Sequence, residues 1–314
     1  MGDFYSSGAL SPSQQDLLCE QRFLNGGPFW HICSNGQLME IIFKSEEDYK
    51  FAVNAIAISA AITGVRVIAF QVMSNHLHAV AEGERPRCEA FFEESKRRIR
   101  RYTVSQGRYV NYDAFEAKCL PIDNLGALRT EICYVHRNGF LVNSAYTPFS
   151  YPWGSGYVYF NASPHSKVAR KYSELPKRDK LLLSRSRQMD LPDWYMVDDG
   201  MILPESFCSI KYGEGFFRNA QHYFNYVSKR FEAYSEVAKR LGDSVFLTDD
   251  ELFSVSCFLG KKMFGERAPS MLPPASKIEL AKCLRRDYNA SEGQIQRMLR
   301  LDRSVVRELF GPTP

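Results

Sequence analysis

The sequence predicts an α+β protein, with an antiparallel sheet and its covering helices in residues 26–160 and a mainly helical C-terminal third. Three observations lead to this fold class. Strand-like and helix-like segments follow a defined order in the first half, and helix-capping pairs recur towards the end. The composition, 45% hydrophobic and 24% charged residues, is typical of a globular chain. A chain of 314 residues is long enough for two domains.

The first half begins with a strand, a helix and a β-hairpin. PFWHICS (28–34) has the aromatic and β-branched content of a strand. Ser45, followed by three acidic residues, predicts the start of a helix, and Gly64 predicts its end. VRVIAFQVM (65–73) and HLHAVAEG (76–83) are strand-like runs joined by a Ser-Asn turn, so we expect them to pair as a hairpin.

A second helix, a strand and a third helix follow the hairpin. A basic helix is predicted from about Cys88 to Thr103, and a short strand near AKCLPI (117–122). The next helix is predicted to have its cap at Asp123 and to end at Gly139. The order strand, helix, strand, strand, helix, strand is the ferredoxin-like split βαβ pattern, which places helices on one face of an antiparallel sheet.

The rest of the chain divides into flanking parts around this domain. Residues 1–25 are polar and turn-rich and are interpreted as an N-terminal extension. The basic stretch 161–213 carries several prolines and is interpreted as a linker, and residues 214–314 as a helical domain.

Capping-box pairs predict where helices of the C-terminal domain begin. They are Thr248 with Glu251, Ser276 with Glu279, and Ser291 with Gln294.

The last three predicted helices, at about 276–287, 291–298 and 302–310, have the proportions of a helix-turn-helix. Arg303 and Arg307 would then lie on the recognition helix. A helical protein–protein module explains the same pattern and stays open as an alternative.

The positive charge is clustered, although the net charge is only +4. One cluster lies on the predicted basic helix, and a second runs from Lys167 to Arg187. Both clusters can follow a line of phosphates, but a solvated face or a charged linker also accounts for them. The residues of the first cluster are Lys96, Arg97, Arg98, Arg100 and Arg101.

Nothing in the sequence predicts secretion or a membrane span. The N-terminal residues lack a basic segment followed by an apolar run, and no stretch approaches eighteen consecutive apolar residues. The eight cysteines include no CxxC pair, so neither a disulfide framework nor a zinc knuckle is indicated. We therefore expect a cytoplasmic, nucleoid-associated protein with reduced cysteines.

His76 and His78 form the most informative pair of side chains in the first half. Because strand side chains alternate, both project from one face with Cα atoms about 6.5 Å apart, and both imidazoles can reach one ion. Two structural histidines without a metal remain the alternative unless a third ligand lies nearby.

The helix predicted from Asp123 offers a tyrosine and an amide on one side. Tyr134 and Asn138 are four residues apart and share a face, whereas His136 is rotated by roughly 200° from Tyr134. Asn138 can supply a carbonyl oxygen ligand, and Arg137 could steady a phosphate. Core packing of Tyr134, a C-terminal cap at Asn138 and a surface location of Arg137 are the structural alternatives.

A family resemblance links these residues. VMSNHLHAV (72–80) resembles the HUH motif of single-tyrosine transposases, and YVHRN (134–138) resembles their nucleophile helix. The similarity is greatest to REP-associated tyrosine transposases of the IS200-like family. It includes WHICSNGQLMEIIFKSEED (30–48), which resembles the first strand and loop of that family, and it reaches YPW (151–153).

The resemblance implies a DNA-nicking and rejoining enzyme. Position by position, it makes Tyr134 the nucleophile, His76 and His78 the histidine ligands of a divalent metal, and Asn138 the third ligand. The expected substrate is single-stranded or hairpin DNA formed by palindromic repeats, held in part by the basic helix. The sequence leaves open whether the chain acts as a monomer or a homodimer.

The chemistry fits a metal-assisted tyrosine. A tyrosine hydroxyl, with a pKa near 10, is a poor nucleophile unless a metal and a polarised phosphate favour the phenolate. Two imidazoles and an amide oxygen bind Mg²⁺ weakly, and imidazole ligands have a higher affinity for Mn²⁺ than for Mg²⁺. We therefore expect Mg²⁺ in cells and stronger activity with Mn²⁺.

Two other functions remain open at this point. One is a repeat- or promoter-binding protein in which the HUH fold is catalytically idle. The other is a metal-dependent hydrolase that uses bound water, which would need a carboxylate or another general base beside the histidines. No acidic residue lies at an informative sequence spacing from them.

Overall fold

The computed structural model of the chain describes residues 10–311, apart from short internal segments. These are 35–38, 114, 143–146, 148, 163, 165–168, 187–190, 230–236, 238–239, 242–248, 267 and 289, and the side chains at 139–142, 229, 249–251 and 254 also lie outside the description. The described residues are mixed α and β, and contacts along the chain divide them into two units, Met1–Arg230 and Phe231–Pro314.

A four-stranded antiparallel sheet lies at the centre of the first unit. Its strands follow the order β2-β3-β1-β4, so β1 pairs with both β3 and β4. A turn at Ser74 and Asn75 joins β2 to β3, with a hydrogen bond of 2.8 Å from the Met73 amide to the His76 carbonyl. The predicted strands and hairpin are therefore confirmed. The bounds are β1 Phe29–Cys33, β2 Arg66–Val72, β3 Leu77–Glu82 and β4 Lys118–Pro121.

Two helices between the strands pack against each other. They are α2 (Glu46–Thr63), which connects β1 to β2, and α3 (Arg85–Ser105), which connects β3 to β4. The Arg85 guanidinium, at the start of α3, lies over the ring of Trp30, which alternates with His31 along β1. Because neighbouring residues of a strand point to opposite faces, α3 begins on the face away from His31.

The ends of α2 are those that the sequence predicts. The Ser45 side chain accepts from the Asp48 amide, and the Asp48 carboxylate accepts from the Ser45 amide, which forms a capping box. Gly64 ends the helix with φ of 68°, a left-handed conformation that glycine adopts without strain.

Helix α4 (Leu125–Val142) differs from its prediction at both ends. The cap is Asn124 rather than Asp123, because the Asn124 side chain accepts from the Ala127 amide at 2.8 Å. Gly139 does not end the helix, which continues for three further residues. A glycine inside a helix costs only about 1 kcal/mol relative to alanine, which is too little by itself to end a helix.

Residues before and after the sheet carry regular structure of their own in the first unit. The N-terminal residues include α1 (Pro12–Leu24), which opens with a capping box between Ser11 and Gln14. The stretch interpreted as a linker includes a three-stranded sheet. Asn54 of α2 is hydrogen-bonded to that sheet: it donates to the Gly200 carbonyl at 2.8 Å and accepts from the Ile202 amide at 2.7 Å.

The elements of this stretch are short, which is why periodicity did not reveal them. The strands are β5 Arg170–Lys171, β6 Met196–Asp198 and β7 Met201–Ile202. The helices are α5 Lys177–Ser184, α6 Pro204–Phe207, α7 Ile210–Glu214 and, before the second unit, α8 Ala220–Lys229.

The described part of the second unit is helical. Its last three helices lie within two residues of their predicted positions, and the Ser291–Gln294 capping box is confirmed. The helix predicted to start at Ser276 instead begins at Pro274, a residue that suits the first turn of a helix. Thr248 lies outside the described residues. The helices are α9 Asp249–Phe264, α10 Pro274–Tyr288, α11 Glu292–Leu299 and α12 Arg303–Phe310.

Two global expectations can be compared with the structure. No disulfide joins the eight cysteines, all of which lie among the described residues, and five of them are buried. Among the residues described, none of the helices combines the length and apolar character that crossing a membrane requires.

Candidate metal and tyrosine site

Strands β1 and β3 place three ligand-type side chains on one face of the sheet. Cys33 lies directly opposite His78, and His31 lies opposite Val80. Directly paired residues share a face, and residues two apart on one strand do so as well, so His31, Cys33 and His78 project together. We call this side the histidine face. His31 is fully buried, and the other two are only 1% exposed.

Helix α4 contributes two side chains that contact the histidine face. Glu131 Oε2 lies 2.7 Å from His31 Nδ1. One turn further along, the Tyr134 ring centroid lies 5.7 Å from that of His78 and 5.9 Å from that of His31. Tyr134 is 3% exposed. The tyrosine that the sequence singles out therefore lies against the second histidine of the HxH pair.

Glu131, His31 and His78 form a continuous hydrogen-bonded chain. His31 Nδ1 faces the Glu131 carboxylate, and His31 Nε2 lies 3.0 Å from His78 Nδ1. Glu131 is only 1% exposed. A buried carboxylate needs hydrogen-bond donors, and His31 supplies one.

His76 lies at the edge of the same group, just before β3 begins. Its ring centroid is 4.9 Å from that of His78, so the two histidines of the HxH pair are neighbours in space. His76 Nδ1 lies 2.7 Å from the Asn75 side-chain oxygen. Since an amide oxygen only accepts, the proton of this hydrogen bond belongs to His76.

The histidine face can hold a metal ion. One ligand atom each from His31, Cys33 and His78 lie within 4.8 Å of one another. This set shares only His78 with the predicted ligands His76, His78 and Asn138. Imidazole and thiol donors suit transition metals better than Mg²⁺, and the identity of the ion does not follow from the donors alone.

Sequence reasoning missed His31, Cys33 and Glu131. The first two lie two residues apart in β1, so their common face was readable, but their pairing with His78 depends on the strand register. Glu131 lies three residues before Tyr134, on neighbouring turns of one helix side, and that spacing was the available signal.

The remaining predicted residues of α4 lie near Tyr134 in the helix. Asn138 is one turn further on and is 4% exposed, and its Nδ2 makes no hydrogen bond to any residue that the structure describes. Because α4 continues past Gly139, Asn138 is not a C-terminal cap. Arg137 is 5% exposed, so it does not lie at the surface.

His136 belongs to a different cluster from Tyr134, as the helical rotation predicted. Its Nδ1 lies 2.8 Å from the Tyr223 hydroxyl, and its Nε2 lies 2.8 Å from Ser155 Oγ. Complete burial lowers the pKa of His136 to about 3. The ring is therefore neutral at physiological pH and acts as a structural hydrogen-bonding group.

The basic helix α3 carries charges of different kinds. Arg98 is buried and pairs with Glu94 at 2.7 Å, and burial lowers its pKa. Arg97 is exposed and also pairs with Glu94. Arg100 and Arg101 are exposed, and Lys96 is half-buried. Exposed cations that could meet phosphates therefore lie on this helix, which begins on the face opposite to Tyr134.

Two other basic regions predicted from the sequence lie outside α3, one in each unit. In the second unit, Arg303 and Arg307 are exposed on α12, while Val306 between them is buried. In the first unit, Arg170 and Lys171 of the second basic run are exposed in β5, and its end residues Lys167 and Arg187 lie outside the described segments.

Comparisons with known proteins add no relative: no family model matches the chain, and neither does any curated protein or solved structure.

Proposed function

We propose that the chain cleaves and rejoins DNA strands as a single-tyrosine HUH enzyme, with Tyr134 as nucleophile and a divalent ion bound beside it. One observation carries the proposal. Tyr134 lies within ring-contact distance of His78 on the histidine face, although the two are more than fifty residues apart in sequence. A nucleophile needs an activating group within reach, and this geometry supplies one.

The topology supports the proposal. The order β2-β3-β1-β4, with a helix in each of the two connections, is the order that the split βαβ pattern requires. The next helix, α4, contacts the face of the sheet that carries His31 and His78, whereas α3 begins on the opposite face. This arrangement brings the nucleophile helix onto the HxH strand.

The residues present fit a divalent ion. In this proposal His78 and His76 bind it through their imidazoles, and Asn138 binds it through its amide oxygen. The buried Asn138 Nδ2 that makes no hydrogen bond to the described residues fits this role, because rotating the amide exchanges nitrogen and oxygen. When bound, such an ion polarises the scissile phosphate and favours the tyrosine phenolate.

Tyr134 performs a transesterification that needs no other reactant. Its hydroxyl oxygen forms a bond to phosphorus as the bond from phosphorus to the 3′ oxygen breaks, and the proton passes to the departing 3′-hydroxyl. The product is a 5′-phosphotyrosine, and attack by another 3′-hydroxyl reverses the step. Tyr134 must be able to reach the scissile phosphate from the side. The proposed substrate is therefore single-stranded DNA or the foot of a DNA hairpin.

Covalent trapping tests this function. Labelled single-stranded and hairpin oligonucleotides are incubated with Mg²⁺ or Mn²⁺ and the wild-type chain, Tyr134→Phe or Tyr102→Phe. Tyr102 is a matched control because it is a buried tyrosine bonded to Asp48. We expect a protein–DNA adduct on denaturing gels with the wild type and Tyr102→Phe only. An adduct that persists in Tyr134→Phe, or none with either ion, contradicts the proposal.

The same assay separates the two alternatives. A hydrolase would give cleaved strands without an adduct, and Tyr134→Phe would still cleave. Glu131 offers the carboxylate that hydrolysis needs, which favours this alternative, but His31 already engages it. A DNA-binding protein, favoured by the exposed arginines of α12, would retain DNA without cleaving it.

A further inference from the structure

We propose that Glu131 and His31 are positioning residues that hold His78 with a proton on Nδ1 and a lone pair on Nε2, ready to bind the divalent ion. This inference rests on the proposed function only for the role of His78 as a metal ligand. The hydrogen-bonded chain itself comes from the geometry of β1, β3 and α4.

The first step fixes the tautomer of His31. In the proposed chain the Glu131 carboxylate accepts, and the proton between Glu131 Oε2 and His31 Nδ1, 2.7 Å apart, lies on the imidazole. Both side chains are almost completely excluded from solvent, so water does not compete for this bond. An imidazole that carries its proton on Nδ1 alone presents a lone pair at Nε2.

The second step fixes the tautomer of His78. Its Nδ1 lies 3.0 Å from His31 Nε2, and two lone pairs at this distance would repel, so His78 Nδ1 must carry the proton. The remaining nitrogen of His78, Nε2, then has a lone pair for a metal. Ligating histidines commonly have their other ring nitrogen held by such a carboxylate or carbonyl partner, which orients the ring and raises its basicity.

The same side chains could bind a metal in a second arrangement, and the test must distinguish the two. His31, Cys33 and His78 would instead hold a soft ion directly, and the hydrogen bond between the two imidazoles would be lost. In that arrangement Nε2 of His78 carries the proton, and the Cys33 thiolate is a ligand. The two arrangements therefore predict opposite tautomers of His78.

Metal affinity is the first readout. Binding of Mn²⁺ is measured by electron paramagnetic resonance for the wild type, Glu131→Gln and Glu214→Gln. Glu214 is a matched control, because it is buried and hydrogen-bonded to the Phe160 amide and Lys211. We expect Glu131→Gln to weaken Mn²⁺ binding by about 10-fold to 100-fold, since a neutral amide no longer dictates the His31 tautomer. Glu214→Gln should bind Mn²⁺ as the wild type does.

Nitrogen NMR of the wild-type chain is the second readout, and a variant is used only to assign the signals. Spectra of ¹⁵N-histidine-labelled protein with Mg²⁺ at mildly alkaline pH report which ring nitrogen of His78 is protonated, and a His78→Asn variant assigns the signals. We expect His78 to be protonated at Nδ1. Protonation at Nε2, a thiolate charge-transfer band with Co²⁺, or equal Mn²⁺ affinity of Glu131→Gln and wild type would overturn the inference.

These readouts separate this inference from the proposed function. If no covalent adduct forms but Mn²⁺ binding depends on Glu131, the function is wrong and the positioning role stands. If an adduct forms at Tyr134 but Mn²⁺ binding is indifferent to Glu131, the function stands and the positioning role is wrong.

Discussion

At the scale of single residues, the site contains two kinds of side chain. Some could be predicted from a sequence motif, and others are brought together only by the register of the strands. The HxH pair and the tyrosine could be predicted, because alternation on a strand and rotation on a helix fix their directions. His31 and Glu131 could not, since their partners lie 47 and 100 residues away along the chain. Contacts of this kind depend on strand pairing, and no local pattern encodes them.

The buried His136 leads to a prediction about pH. Its pKa is about 3 in the folded protein and 6.5 when exposed, so the unfolded chain binds one more proton between these values. The free energy of unfolding therefore falls as the pH drops through this range, by about 1.4 kcal/mol per pH unit from this residue. Above pH 6.5 the residue adds no pH dependence.

Urea unfolding of the wild type and His136→Gln between about pH 6 and pH 5 checks this sign. The variant loses packing against Tyr159 and Tyr223 and should be less stable throughout. Its stability should nevertheless decline less steeply with acid than that of the wild type. Parallel slopes would show that His136 is not kept neutral in the folded protein.

At the scale of elements, the residues that cap helices could largely be predicted from the sequence, whereas the lengths of the helices could not. Helix α2 begins after Ser45 and ends at Gly64, as predicted, because the side-chain and backbone preferences of these two residues act locally. In α4, by contrast, the low helix propensity of Gly139 did not end the helix, which continues to Val142. The extra turn keeps Asn138 inside the helix, next to Tyr134 rather than at a frayed end.

Asp48, in the first turn of α2, accepts hydrogen bonds from three other parts of the first unit. Its carboxylate accepts from Arg108 at 2.7 and 2.9 Å, from the Tyr102 hydroxyl and from the Lys44 amide. Burial alone would raise the pKa of Asp48, but these donors outweigh it and hold the pKa below its usual value.

We predict that Asp48→Asn lowers the free energy of unfolding by about 2–3 kcal/mol, since it leaves the largely covered Arg108 without its counter-charge. Urea denaturation measures the loss. Glu89→Gln is the matched control, because its partner Arg85 is exposed and such pairs contribute less than about 1 kcal/mol. Equal effects of the two substitutions would contradict this account of α2.

At the scale of the whole molecule, the sequence indicated the sheet region and the helical end, but it did not reveal the short elements between them. Residues 161–229 include short strands and helices that belong to the first unit, and contacts divide the chain at Arg230 and Phe231. Elements of two to five residues leave too little periodicity for a pattern to identify. In the first unit, the proposed chemistry lies on the histidine face, whereas α3, which carries the exposed cations, begins on the other face of the sheet.

This separation predicts that DNA affinity and chemistry can be altered independently. The double variant Arg100→Gln/Arg101→Gln should weaken binding of single-stranded DNA and reduce the salt slope of binding by about 1.4, for two phosphates at about 0.7 each. The rate of adduct formation at saturating DNA should not change. Arg85→Gln, at the other end of α3, is the control. A double variant that binds normally would remove α3 from the proposed DNA path.

The most direct measurement of the central claim is mass spectrometry of the trapped protein–DNA complex. After incubation with a hairpin oligonucleotide and Mn²⁺, nuclease and protease digestion should leave a peptide containing Tyr134 with a nucleotide attached through a 5′-phosphate. Such a peptide is the predicted result. A nucleotide on a different residue, or cleaved DNA with an unmodified Tyr134 peptide, would contradict the account.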